Sequence, residues 1–188
     1  MAAMRTALLL CALAAVRAEQ IPDWVSKMHA QSYSHYNECE CFISLIYGGY
    51  VDDAYDAPDV TLRQQPELAK CRLMRTLTTH EVQGMTAVYA AVAKDRSDWL
   101  AEILANGGDP DARHAAKSQD DDDAFPLFVA AQYNNVEAVR LLIAAGARQE
   151  ETMNNGQAAI NAAALFGNWE VVALLAQSRP GLVNLAGV

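Results

Sequence analysis

Three segments of this chain can be aligned with one another, and this repetition constrains the fold more than any single residue does. The copies begin at Thr86, Phe125 and Ala158, and each joins an alanine-containing apolar segment to a second apolar stripe after a short turn. The second and third copies start 33 residues apart, and the first and second start 39 apart because an insertion containing Asp120–Asp123 separates them. Self-similarity at this period predicts a stacked array, in which each unit buries its apolar face against its neighbours.

The apolar residues within each copy recur at helical spacing. In the second copy the first stripe is Leu127 with Ala130-Ala131, and the second is Val139 with Leu142-Ile143. Two short helices of this kind form an antiparallel hairpin, and their small alanines let neighbouring helices approach closely. Gly146 follows the second helix, where a left-handed residue ends a helix at little cost.

This pattern resembles the ankyrin repeat, whose sequence runs roughly G-x-T-P-L-H-x-A-A, a short turn, then V-V-x-L-L-L-x-x-G-A. The second copy is the most similar, with Pro126-Leu127, Ala130-Ala131 and the run Val139–Ala147. The resemblance covers about three repeats in residues 82–188. It implies an all-α fold, an ankyrin-type α-solenoid of stacked helix-turn-helix repeats.

The copies depart from the family pattern at two places. The family's histidine, which supplies hydrogen bonds inside the first turn, is replaced by Tyr89, Phe128 and Asn161. Arg179-Pro180 stands where the third copy should have Gly-Ala, so we expect the array to end there.

The resemblance also implies a function, because proteins with such arrays use their concave face to hold other proteins. We therefore expect a non-catalytic protein–protein interaction module. The implied partner-binding residues lie at the ends of the first helices and in the turns before them: Met85, Lys94, Gln132, Tyr133, Gln157, Leu165 and Phe166. Lys94, Tyr133 and Phe166 should form a line along the groove, with the two aromatic residues as anchors. The alternative is that these aromatic side chains only cover the hairpin turns.

Residues 1–18 have the layout of a secretory signal peptide. Arg5 precedes an apolar run from Ala7 to Val16, and Val16-Arg17-Ala18 forms a small-residue cleavage pattern. The apolar run is too short to span a bilayer of about 30 Å as a helix. We expect secretory-pathway or extracellular localisation if this segment is a signal peptide, and cytoplasmic localisation if it is an N-terminal helix of the domain.

Residues 19–81 are expected to form a helical cap. An open solenoid end leaves apolar surface in water, so the first repeat needs a cover. Cys41–Tyr47 reads as a buried apolar run, and a helix is predicted from Pro66 to Leu77 with Leu68 facing inward. A degenerate fourth repeat within this region is the alternative.

Loss of the signal peptide would leave the cysteines Cys39, Cys41 and Cys71. In an oxidising compartment Cys71 could form a disulfide with Cys39 or Cys41, and plain buried thiols are the alternative. A metal site from His29, His35, Cys39 and Cys41 would lack the usual paired ligand spacing, so no metal is predicted.

The sequence contains no catalytic motif. No serine lies in a G-x-S-x-G context, and no glycine-rich phosphate-binding motif occurs, so we expect neither an enzyme nor a cofactor. The formal net charge of −9 disfavours nucleic acid and would favour a basic protein partner. The alternative function is a small secreted metal-binding or enzymatic region at 19–83, with the repeats as a docking arm.

Overall fold

Helical hairpins fill the repeated half of the chain in the computed structural model. The structure describes residues 38–48, 62–63, 66–74, 76, 83–114, 124–179 and 181. Its helices are α1 (Glu38–Gly48), a 3₁₀ helix (Pro66–Lys70), α2 (Ala87–Ala93), α3 (Ser97–Ala105), α4 (Pro126–Gln132), α5 (Val136–Ala144), α6 (Ala159–Leu165) and α7 (Trp169–Ser178). The predicted signal peptide at residues 1–18 lies outside the described residues.

The helices form two layers. In the inner layer α4 packs between α2 and α6, and α1 packs against the other side of α2. In the outer layer α5 packs between α3 and α7, and the 3₁₀ helix contacts α2 and α3. Ala91, Ala130 and Ala163 occupy equivalent positions of the inner helices and are completely buried. The predicted all-α solenoid of stacked helical hairpins is therefore confirmed, and the cap predicted for residues 19–81 stays a prediction.

The inner helices of the three hairpins begin in three different ways. The hydroxyl of Thr86 accepts a hydrogen bond from the backbone N–H of Tyr89 at 3.1 Å. Pro126 lies in the first turn of α4. A backbone N–H at this position would have no acceptor within the helix, so the absence of an N–H in proline costs no helical hydrogen bond. The side-chain oxygen of Asn161 accepts the N–H of Ala158 at 2.8 Å. Asn161 thus supplies a hydrogen bond in the turn where the family pattern has a histidine.

The outer helices α3 and α5 end at glycines with left-handed backbone. Gly107 has a φ of +87° and Gly146 a φ of +88°. The N–H of Gly146 bonds the carbonyl of Ile143 at 3.0 Å, which satisfies one of the carbonyls left open at the helix end. In both copies, therefore, a left-handed glycine follows the second helix of the hairpin, as the sequence predicted. In the third copy α7 ends at Ser178, and Arg179 has a φ of −150°.

The N-terminal region packs onto the first hairpin through large apolar side chains. Phe42, Ile43 and Ile46 of α1 are buried in the same core as the repeats. The ring of Phe42 meets that of Trp99 edge-on, with the centroids 5.7 Å apart. A disulfide joins Cys39 of α1 to Cys71, with the two Cα atoms 5.2 Å apart.

The predicted helix from Pro66 to Leu77 is wrong beyond Lys70, where the chain becomes extended. Leu73 donates its N–H to the carbonyl of Met85 at 2.8 Å, and Arg72 and Thr86 form an antiparallel bridge. Backbone pairing with the segment before α2 therefore replaces the helix. The same pairing places Met85 in the core at 1% exposure, so its side chain does not belong to the partner-binding surface that the sequence predicted.

Candidate partner-binding groove

An open groove of about 540 Å³ lies along the inner helices, within the size range of ligand sites. Its lining comes from α1, α2, α4, α6 and the turns that precede α4 and α6: Tyr47, Tyr89, Ala93, Ala124, Phe128, Val129, Gln132, Tyr133, Met153, Gln157, Ala162, Leu165 and Phe166. Five of the predicted partner-binding residues are in this lining, namely Gln132, Tyr133, Gln157, Leu165 and Phe166.

Large apolar side chains stand exposed at the groove. Tyr133 is 72% exposed, Leu165 71% and Phe166 56%. Tyr133 and Phe166 are the C-cap residues of α4 and α6, and Lys94 is the C-cap residue of α2. The hairpin architecture therefore places one of these three side chains at the end of each inner helix, at equivalent positions of successive repeats.

The described residues lining the groove do not include Lys94, and its role in partner binding stays a prediction. Its ammonium nitrogen lies 4.0 Å from the centroid of the Tyr47 ring, which does line it. This is a cation–π contact between α1 and the end of α2. The Lys94 side chain therefore lies next to the α1 end of the groove.

Sequence reasoning missed three aromatic residues of the groove: Tyr47, Tyr89 and Phe128. Tyr89 and Phe128 occupy the same position in their copies, so the repeat alignment could have identified them as a second row. Tyr89 also stacks on His114, with the ring centroids 4.6 Å apart. For Tyr47 no such signal existed, since its position depends on how α1 docks against α2.

Two amide side chains add polar groups to the groove. Gln132 and Gln157 are half-buried, and within the part of the chain that the structure describes neither side chain has a hydrogen-bond partner. Each amide offers two donors and an acceptor. None of the described residues lining the groove carries a charge, and the insertion with Asp120–Asp123 that precedes Ala124 lies outside the described residues. The groove therefore combines aromatic surfaces with uncharged hydrogen-bonding groups.

Charged residues instead connect the turns that link successive repeats. Arg148 contacts Asp111 at 3.0 Å and Glu151 at 3.2 Å, and Arg113 also pairs with Glu151. The hydrogen bond that Arg148 donates to Asp111, with the charge of Glu151 second, raises the pKa of Arg148, so this guanidinium stays protonated. These pairs fix neighbouring turns to one another, and none of the residues involved lines the groove.

The cysteines give no metal centre among the described residues. Cys39 is bonded to Cys71 and so is not available as a thiolate ligand. His29, His35 and the side chain of Cys41 lie outside what the structure describes. In residues 38–48, 62–63, 66–74, 76, 83–114, 124–179 and 181, no three His, Cys, Asp or Glu side chains are grouped to hold a metal ion. None of the described helices combines the length and apolar character needed to cross a bilayer.

Comparison with known protein families supports the resemblance read from the sequence. Residues 112–184 match the family model described as ankyrin repeats (3 copies). This segment contains the hairpins α4–α5 and α6–α7, and α2–α3 packs against α4–α5 in the same arrangement. No curated protein matches the chain. The architecture is an ankyrin-type α-solenoid.

Proposed function

We propose that this ankyrin-type solenoid is a non-catalytic module that binds a protein partner in the groove between Tyr47 and Phe166. Ankyrin repeats are generally protein–protein interaction modules, and arrays of this shape use their concave surface for binding. One observation carries the proposal: Tyr133, Leu165 and Phe166 gather on one groove although each is more than half exposed. Single exposed apolar residues are common, but a contiguous group marks an interaction site.

The exposure of the two aromatic residues also argues against a purely structural role. A side chain that covers a hairpin turn removes most of its own surface from water. Tyr133 and Phe166 keep 72% and 56% of theirs, so the folded chain gains little from them. Burying such a side chain against a partner contributes roughly 1.5–3 kcal/mol, which is the magnitude expected of an interface anchor.

The charge of the chain favours a basic protein as the partner. The formal net charge is −9, and its long-range field accelerates encounter with a positively charged protein. The described lining of the groove is uncharged, so among these residues charge would act on the rate of association more than on contacts inside the groove. The same field repels nucleic acid.

We further propose that the protein works in the secretory pathway or outside the cell. Residues 1–18 have the layout of a signal peptide, and the Cys39–Cys71 disulfide is of a kind that persists in oxidising compartments. Both features support the same location. Detection of the mature N-terminus at Glu19 in secreted material would test it, and a cytoplasmic chain starting at Met1 would contradict it.

Affinity capture with matched variants tests the groove. The double variant Tyr133→Ala/Phe166→Ala removes both anchors, and Trp169→Ala is the control because Trp169 is 69% exposed but does not line the groove. We expect proteins captured by the wild type and by the control to be lost with the double variant. Circular dichroism should show unchanged helical content in all three. A partner set that survives the double substitution would refute the proposal.

A further inference from the structure

Two asparagines of this chain are followed directly by glycine, Asn106 and Asn155. In such a pair the backbone nitrogen of the glycine can attack the side-chain carbonyl carbon of the asparagine, because glycine has no Cβ to hinder the approach. The attack closes a succinimide ring and releases ammonia, and asparagine counts among the thermolabile residues. Which of the two asparagines reacts in the folded chain depends on how its side chain is held.

The side chain of Asn155 is folded toward the nitrogen that would attack it. Its Oδ1 accepts a hydrogen bond from the backbone N–H of Gln157 at 3.0 Å, so the carboxamide bridges Gly156. Negative charge develops on this oxygen during the attack, and the N–H of Gln157 is already in place to stabilise it. Residues 154–156 are exposed, and beyond the chain neighbours no described atom lies within 4 Å of where a Cβ on Gly156 would be. The ring therefore has room to form.

The side chain of Asn106 is held in the opposite direction. Its Nδ2 donates to the carbonyl of Glu102 at 2.8 Å, one turn back in α3. The nitrogen that would leave is therefore bound to the helix, and the carboxamide is turned away from Gly107. Asn106 is half-buried, and the side chain of Lys70 lies 3.3 Å from where a Cβ on Gly107 would be. The fold thus hinders the reaction at this pair.

One backbone hydrogen bond has to open before the attack at either pair. The N–H of Gly156 donates to the carbonyl of Met153 at 2.9 Å, and that of Gly107 to the carbonyl of Leu104 at 3.1 Å. The first bond lies in the exposed turn 154–156, whereas the second satisfies a carbonyl at the end of α3. Opening of an exposed turn costs less free energy than opening of a helix end, so this step also favours the later pair.

We propose that Asn155 is a modification site that converts spontaneously to aspartate and isoaspartate in the folded protein. The nitrogen of Gly156 loses its proton to water and bonds to Cγ of Asn155. The Cγ–Nδ2 bond then breaks, and ammonia leaves with a proton from water. Water opens the ring at either carbonyl: breaking the new Cγ–N bond gives aspartate, and breaking the original peptide bond gives isoaspartate. In sum, an amide and water become an acid and ammonia, and the turn gains a negative charge.

The conversion changes a turn that supports the groove. Met153 and Gln157 both line the groove, and the N–H of Met153 donates to the carbonyl of Gln157 at 2.8 Å across this turn. Isoaspartate lengthens the backbone between these two residues by one methylene group, so the turn cannot keep its hydrogen bonds in register. The isoaspartate form should therefore bind a partner less tightly. This consequence rests on the proposed function, whereas the conversion itself does not.

Peptide mapping by mass spectrometry tests the site on the full chain aged in mildly alkaline buffer. We expect Asn155 to convert at least about tenfold faster than Asn106 in the folded chain. In guanidinium chloride the two should convert at similar rates, because the conformations that distinguish them are lost. Equal rates in the folded chain, or faster conversion of Asn106, would overturn the inference. It would also fail if Asn155 stays an amide in the folded chain while it converts in denaturant.

Affinity capture with the aged protein tests the consequence for the groove. Ion exchange separates the converted chain, which should capture partner proteins at least about threefold less than fresh protein does. The control is Asn155→Ser, which keeps a side-chain acceptor in the turn but has no amide to convert, so its capture should not change with ageing.

The modification and the proposed function fail in distinguishable ways. If the isoaspartate form captures as well as fresh protein while Tyr133→Ala/Phe166→Ala captures nothing, the groove binds proteins and its link to Asn155 is wrong. If Asn155 converts as expected but capture survives the double substitution, the modification site stands and the proposed function is wrong.

Discussion

The N-terminal region and the repeated region of this molecule are held in place by different means. Between repeats, small residues such as Ala91, Ala130 and Ala163 are completely buried, and they allow close approach of the inner helices. The N-terminal region instead buries large side chains against the first hairpin, among them Phe42, and a disulfide within it joins α1 to Cys71. Each repeat packs on a neighbour of similar shape and sequence. The N-terminal region is not part of the repeat pattern, so it needs contacts of its own to stay in place.

The largest effect is expected at Trp99, where the two regions meet. Trp99 is completely buried in α3 and contacts Phe42 of α1. Trp99→Ala should reduce the free energy of unfolding by about 3–5 kcal/mol, since it leaves a cavity shared by both regions. Urea denaturation measures this, with Trp169→Ala as a control that should stay near the wild-type value. A loss below about 1 kcal/mol would show that the regions do not depend on this contact.

Removal of the disulfide should have the next largest effect, and it acts within the N-terminal region because both cysteines belong to that region. Replacing Cys39 and Cys71 by serine should cost about 2–4 kcal/mol, because the unfolded chain regains the freedom of the 32-residue loop. Hydrogen exchange should rise mainly in α1, while α4–α7 keep their protection. Equal loss of protection in α6 and α1 would contradict the division into two differently attached regions.

Within the repeats, the end of α5 offers a smaller test. Gly146→Ala should cost about 1–2 kcal/mol, because a φ of +88° is unfavourable for a residue with a Cβ. No atom of the described residues lies within 4 Å of the added Cβ, so the cost comes from backbone conformation rather than from a clash. Thermal unfolding measures it. Gly146→Asn is the control, since asparagine tolerates this conformation, and an equal loss there would point to another cause.

The smallest effect is expected at a cap that also connects two repeats. The side chain of Asn135 accepts the N–H of Ala138 at 2.9 Å and donates to Asp95 of the preceding hairpin at 2.6 Å. Asn135→Ala should cost about 1 kcal/mol in urea denaturation. Asn135→Ser keeps a cap but cannot reach across in the same way. If the serine variant matches the alanine variant, the contact to Asp95 matters more than the cap.

The sequence predicted those features that depend on local periodicity. The register of Ala91, Ala130 and Ala163 follows from helical spacing repeated in three copies, and each is buried at its equivalent place. Tyr133 and Phe166 could be assigned to the groove because a residue at a helix end keeps its position when hairpins stack. They line it, although the binding itself remains a prediction.

Features that depend on long-range pairing were not predicted. Met85 was expected on the surface, but its backbone pairs with Leu73, and this pairing turns its side chain into the core. The residues next to Met85 and Leu73 in the sequence do not indicate that these two backbones pair. Tyr47 was missed for the same reason, since only the docking of α1 brings it to the groove.

The exposed ring of Phe166 has a mechanical consequence. It sits on α6, part of the last described hairpin, whereas the disulfide fastens α1 at the opposite side of the stack. When the array is pulled apart, we expect the hairpin α6–α7 to unfold first, because the disulfide lies at the other end of the described stack. A partner that contacts both Tyr133 and Phe166 would bind two neighbouring hairpins at once and would hold them together reversibly. Partner binding in the groove would then increase the force that is needed to unfold the array.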